Sequence, residues 1–143
     1  MTAKLYWGTS INVTFDADLC LHAAECLRGA PAVFDIHRKP WVLPDRGDAF
    51  EVARVVERCP TGALKYSFVR EYLPGETGET TAQVVAKSDG PVWLRGDFTL
   101  VTDDGATPQT RIALCRCASS ANLPFCDGSG PCTEWRPSRP TPS

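Results

Sequence analysis

Seven cysteines in 143 residues are the groups here with an evident chemistry. Six of them fall into two triplets. Cys20 and Cys26 lie in "CLHAAEC", and Cys59 opens "CPTGAL". Cys115 and Cys117 lie in "CRC", and Cys126 opens "CDGSG". The seventh is Cys132. Thiols at this density serve as disulfides or as ligands to metal. Seven cannot all pair within one chain. The start, "MTAKLYWGTS", has no apolar run of signal length, and no stretch is long and apolar enough to span a bilayer. A cytoplasmic, reducing location is therefore expected, and it favours ligation over disulfides.

Spacing sharpens the choice in the first half. Bacterial cluster loops use C-x2-C-x2-C with a distant Cys-Pro. On that pattern Cys20 and Cys26 are the first and third ligands, and Cys59-Pro60 is the distant one. Ala23 stands at the second. Removing one thiolate from a cubane site removes the protein anchor of one iron, so a 3Fe-4S cluster is the direct expectation. His22, next to the vacant position, is a candidate ligand to a fourth iron, which would make 4Fe-4S. A solvent-facing or hydrogen-bonding histidine is the plainer reading. His37, in "FDIHRKP", reads as a solvated turn residue.

In the second half the pair is C-x-C. Zinc sites more often use two to four intervening residues. Cys126 follows nine residues later, after Pro124 and before the turn signal Asp127-Gly128. Such a loop can aim successive backbone N–H groups at anionic sulfur. Buried structural cysteines beside an ordinary Asp-Gly turn are the plainer alternative.

Residues 115–129 resemble the CDGSH iron–sulfur family, whose pattern is C-x-C-x2-S/T-x3-P-x-C-D-G-S-H. Every fixed position is matched, Ser120 and Pro124 included, except that Gly130 stands where the family has histidine. The resemblance implies that Cys115, Cys117 and Cys126 hold a 2Fe-2S cluster. Three completions of the site are open. Cys132 supplies a fourth thiolate; a more distant residue, water or small molecule does; or the three thiolates hold 3Fe-4S. Residues 9–68, with the C-x5-C loop, "APAVFD" and "CPTGAL", resemble the divergent single-cluster ferredoxin domain often joined to a CDGSH domain in bacteria. They are also similar to the small ferredoxins that serve bacterial cytochrome monooxygenases. That resemblance implies a cluster on Cys20, Cys26 and Cys59.

The elements that must position these sulfurs are short. "INVTFD" alternates, with Ile11, Val13 and Phe15 on one face, and reads as a strand. A short helix is expected over Ala23–Leu27, capped by Asp16 or Asp18 and ended by Gly29 and Pro31. "AVF" and "PWVL" read as strands around a turn at Asp35–Lys39. "DAFEVARVVERCP" is the strongest helix. Asp48 caps it with Glu51 three residues later, and Phe50, Val52, Val55, Val56 and Cys59 are its apolar positions. "ALKYSFV" is a strand. "PVWLRG" and "DFTLVT" read as two strands, "DDGATPQT" as a turn and "RIALC" as a strand into the cysteine loop. Phe34, Trp41, Trp93 and Phe98 are assigned to the core. Trp7 and Trp135 either cover a cluster or simply pack.

The expected fold is α+β. A small ferredoxin-like domain spans 9–73, a linker 74–82, a β-rich CDGSH-type domain 83–136, and a disordered tail 137–143. Residues 1–73 carry nine basic and nine acidic residues, and the whole chain has a net charge of −2. That mixture offers no footprint for nucleic acid or an anionic membrane. Two cluster patterns in one chain point to one-electron transfer, with a reductase and a terminal oxidoreductase as partners. The CDGSH resemblance implies a homodimer. The rival is an enzyme using an open iron as Lewis acid, with His22, Asp127 and Glu134 as thin acid–base candidates. A cluster sensor or donor is the third reading. No phosphate loop or nucleotide fingerprint is present.

Overall fold

The computed structural model describes residues 3–86 and 90–129. The chain divides into two compact units, Met1–Thr77 and Gly78–Ser143. Among the described residues no helix is long and apolar enough to cross a membrane.

The first unit is a three-stranded antiparallel sheet accompanied by two helices. Strands β1 (Lys4–Tyr6), β2 (Ile11–Phe15) and β3 (Leu64–Phe68) lie in that order. Period-two alternation sets the register. Ile11 pairs with Phe68, Val13 with Tyr66 and Phe15 with Leu64, so the apolar residues of both strands share a face. Helix α1 (Glu25–Gly29) and helix α2 (Ala49–Glu57) complete the unit, with a 3-10 turn at Pro44–Arg46. The core joins Ile11, Val13, Phe34, Val52, Val56 and Leu64, and the half-buried Cys26, Cys59 and Trp41 pack against its edge.

Helix α2 forms where its pattern places it. The Asp48 carboxylate accepts the amides of Phe50 and Glu51, satisfying two donors that the first turn leaves open. Val52, Val55 and Val56 are buried as expected. Phe50 is not; it is 53 % exposed and stacks on Phe68 at a 5.4 Å ring separation. At about 100° per residue Phe50 lies roughly 160° around the helix from Val52, and Ala53 takes its place in the core. Asp48→Ala is expected to lower the unfolding free energy by about 1 kcal/mol, read from urea denaturation followed by circular dichroism. An unchanged midpoint would show that the cap contributes nothing.

Three expectations for this unit need correction. Helix α1 begins at Glu25, and neither Asp16 nor Asp18 caps it; its N-cap is Ala24 in the left-handed region, with no side-chain cap bond. The Asp16 carboxylate instead accepts the Asp18 amide. The "AVF" and "PWVL" strands reduce to a single bridge, Phe34 with Val42. Trp7 is 74 % exposed and is not packed into the core.

The second unit is another three-stranded antiparallel sheet, β4 (Gln83–Ala86), β5 (Val92–Thr102) and β6 (Gly105–Leu114), in that order. The two strands expected over 92–102 are one. Gly96 does not end it but forms an irregularity in the ladder between Arg95 and Phe98. Gly96 sits at φ 142°, and a Cβ there would lie 2.6 Å from the Ala82 backbone. The turn expected over eight residues is confined to Asp103–Asp104, because Thr102 pairs with Gly105. Pro108 is accommodated because β6 is an edge strand. Trp93 and Phe98 are only half-buried. Trp135 and the tail 137–143 lie outside the described residues.

Candidate iron–sulfur sites

In the first unit the chain brings Cys20, Cys26 and Cys59 to one pocket, bordered also by Ala23, Trp41 and Thr61. Each arrives by a different route. The end of β2 is pinned where the Asp16 amide donates to Ala63 O at 2.8 Å, and a turn then delivers Cys20. Cys26 is the second residue of α1. Cys59 follows the last turn of α2, its amide donating to Val56 O at 3.0 Å. Pro60 and the left-handed Gly62 then turn the chain into β3.

The loop between Cys20 and Cys26 carries backbone strain. His22 and Ala24 have φ of 57° and 63°. For residues with a Cβ this conformation costs on the order of 1–3 kcal/mol each, and such strain concentrates at functional sites. It also turns amides inward, and the His22 N–H lies 3.4 Å from the Cys20 sulfur. His22 gives the site this amide; its side chain is exposed and does not border the pocket.

The thiols are chemically coupled. Burial pushes the Cys20 thiol up, opposed by the His22 amide and reinforced by the charge of Cys59. Burial likewise raises Cys26, opposed by the Leu27 amide, and the charges of Cys59 and Cys20 add to it. Three thiolates so close repel one another unless a cation joins them. A ligating thiolate must shed its proton, so metal binding competes with protons here. Among the described residues no three His, Cys, Asp or Glu side chains are gathered tightly enough for a single metal ion. All six described cysteines are free thiols.

The second site is built on the end of β6. The Cys126 amide donates to Ala113 O at 2.9 Å, and the Cys115 amide donates to Pro124 O at 2.8 Å. Phe125 forms a bridge with Leu114. The returning segment is thereby laid beside the strand, and Cys126 reaches Cys115 and Cys117. The sulfurs of Cys115 and Cys117 are 3.7 Å apart. Cys126 is buried, which raises its thiol; the Gly128 amide opposes that, and the charges of Cys115, Asp127 and Cys117 add to it.

The other motif residues hold the loop. The Ser120 hydroxyl donates to Phe125 O at 2.6 Å and accepts the Asn122 amide at 2.9 Å. The Asp127 carboxylate accepts the Ser129 hydroxyl, the Ser129 amide at 3.0 Å and the Ala121 amide at 2.9 Å. These bonds, the Ser129 hydroxyl foremost, hold its carboxyl below the usual carboxylate range. Asp127 thereby braces the loop. Gly130, Cys132 and Glu134 lie outside the described residues.

Sequence reasoning passed over three residues of the first pocket. Trp41 packs against the core as expected, and it also borders the cysteines and meets Phe15 edge-on at 4.9 Å. Thr61, 3 % exposed, lies 3.5 Å from the Cys59 sulfur. Glu25 borders the pocket with its carboxylate paired to Arg28 at 2.9 Å. Thr61 and Glu25 had a signal, Thr61 in its place two residues after Cys59 and Glu25 in its place directly before Cys26.

Comparison with known proteins agrees with this geometry. Residues 6–68 match the family described as "Divergent 4Fe-4S mono-cluster", and residues 89–129 match "Iron-binding zinc finger CDGSH type". The curated relatives include two proteins titled "Uncharacterized protein YjdI", from Escherichia coli K12 and O157:H7. Each is 43 % identical over 63 residues, spanning 44 % of this chain and 83 % of the relative. No solved structure matches the chain significantly. Through its first unit the chain belongs to the divergent mono-cluster family, and with a CDGSH-type domain fused behind it, it is an iron–sulfur protein with a cluster-binding domain in each half.

Proposed function

We propose that this protein is a ferredoxin-like carrier that moves single electrons through two iron–sulfur centres. The observation that carries the reading is the convergence of Cys20, Cys26 and Cys59 from three separate segments on one pocket, with backbone amides aimed at sulfur. Cys115, Cys117 and Cys126 repeat the arrangement in the second unit. The donor sets fit clusters, since soft thiolates are the usual ligands of iron–sulfur groups. A bound cluster supplies a one-electron couple. The protein's part is to fix the sulfurs, to direct amide dipoles at them, and to limit water around them through the half-buried setting.

Ala23 borders the pocket where a fourth thiolate would stand, which supports 3Fe-4S over 4Fe-4S in the first half. In the second half we favour three-cysteine ligation, as 3Fe-4S or 2Fe-2S. The carrier reading gains support from the state of the nearby carboxylates. Asp127 is held by three donors and Glu25 by Arg28. A reductase and a terminal oxidoreductase are the partners such a carrier requires, and a homodimer is the assembly the CDGSH resemblance suggests.

The test is electron paramagnetic resonance of protein as isolated and during a redox titration, with iron counted per chain. A reversible one-electron step at each centre, insensitive to added small molecules, is expected. A small molecule that binds and shifts the spectrum of either centre would instead favour the Lewis-acid enzyme.

A further inference from the structure

We infer that Thr61 tunes the reduction potential of the first centre by donating its hydroxyl proton to the Cys59 sulfur; this rests on the reading of Cys59 as a ligand. A threonine hydroxyl has one proton to give and lone pairs to accept with. The Ala63 amide, 3.2 Å away, is a donor only, so it occupies a lone pair of Thr61 Oγ1. The hydroxyl proton is left for the other neighbour, the Cys59 sulfur at 3.5 Å. In the free thiol either atom can donate. A ligating thiolate has lost its proton, so ligation leaves one direction, from oxygen to sulfur.

Position strengthens the case. Thr61 is 3 % exposed and borders the pocket, so water does not compete strongly for that proton. Pro60 and the left-handed Gly62 flank it and hold the turn on which it sits. Hydrogen bonds to cluster sulfurs are among the determinants of potential. A donor facing thiolate stabilises the more negative, reduced state and so raises the potential. The Ala63 bond alone would make Thr61 a turn brace, which is a different role and separable by experiment.

The experiment compares Thr61→Val, Thr61→Ala and Thr61→Ser in the full chain with both centres loaded. Thr61→Val and Thr61→Ala should shift the first centre to a more negative potential, and Thr61→Ser should keep it at the parent value. The second centre serves as the internal control and should not move. A turn brace alone predicts lower stability in the first two variants at an unshifted potential, and that result overturns the inference. Should neither variant load, electron–nuclear double resonance of the parent protein decides. A proton coupling lost on brief transfer to heavy water, as a hydroxyl exchanges, supports it; its absence overturns it. Cys59→Ala separates the two levels. If the first centre survives that change, the ligand reading fails; if it is lost while Thr61→Val leaves the potential unmoved, only the role of Thr61 fails.

Discussion

Cys59→Ala should erase the first centre and leave the second intact. Iron per chain falls, the resonance of the first centre disappears, and the resonance of the CDGSH-type centre keeps its shape and intensity. The effect is large because, in the proposed ligand set, Cys59 is the long-range member. Cys20 ends the turn after β2 and Cys26 follows closely in α1, whereas Cys59 reaches the pocket from the far end of α2. The fold should survive, since Cys59 is half-buried at the edge of the core and α2 is held by Val52, Val55 and Val56. Far-ultraviolet circular dichroism of the variant should match the parent. Cys126→Ser is the mirror control and should remove only the second centre. If both centres persist in Cys59→Ala, the ligand set of the first unit is misassigned.

Much of this was legible in the sequence, and the legible parts share a cause. Helix α2 carries its instructions locally: an acid at its cap, apolar residues at helical spacing, a proline after its end. The β2–β3 pair was legible because alternation states which face is buried. The second cysteine loop was legible because its motif spells out its braces, and Ser120 and Asp127 bond within a few residues of themselves. What stayed hidden depends on backbone choices without a residue signature. Helix α1 begins from a left-handed alanine, and alanine gives no hint of that conformation. Gly96 reads equally as the end of a strand or as an irregularity within one; Ala82, crossing close by, makes it the latter. Trp41 could be assigned to a core but not to the cysteine pocket, because its neighbour Phe15 is far along the chain.

The second large effect is expected at Ala23. Under the proposed 3Fe-4S assignment, Ala23→Cys should convert the first centre to 4Fe-4S. The geometry permits the change. The Ala23 side chain borders the pocket without entering the core, and its φ lies outside the left-handed region that His22 and Ala24 occupy. Its carbonyl accepts the Arg28 guanidinium at 2.9 Å, a bond that a cysteine keeps. The added thiolate restores the C-x2-C-x2-C spacing from Cys20 to Cys26 and anchors about one more iron per chain. The oxidised protein should lose the resonance of a three-iron centre, and a signal should appear on reduction instead. Cluster type is one determinant of the reduction potential, so the couple should move as well. His22→Ala is the companion measurement. With the His22 ring exposed, removing it should leave the parent spectrum unchanged, since only the backbone amide faces Cys20. An Ala23→Cys protein with unaltered iron content and resonance would mean that the open corner lies elsewhere. A parent protein already holding four irons, and losing one in His22→Ala, would assign that corner to the imidazole.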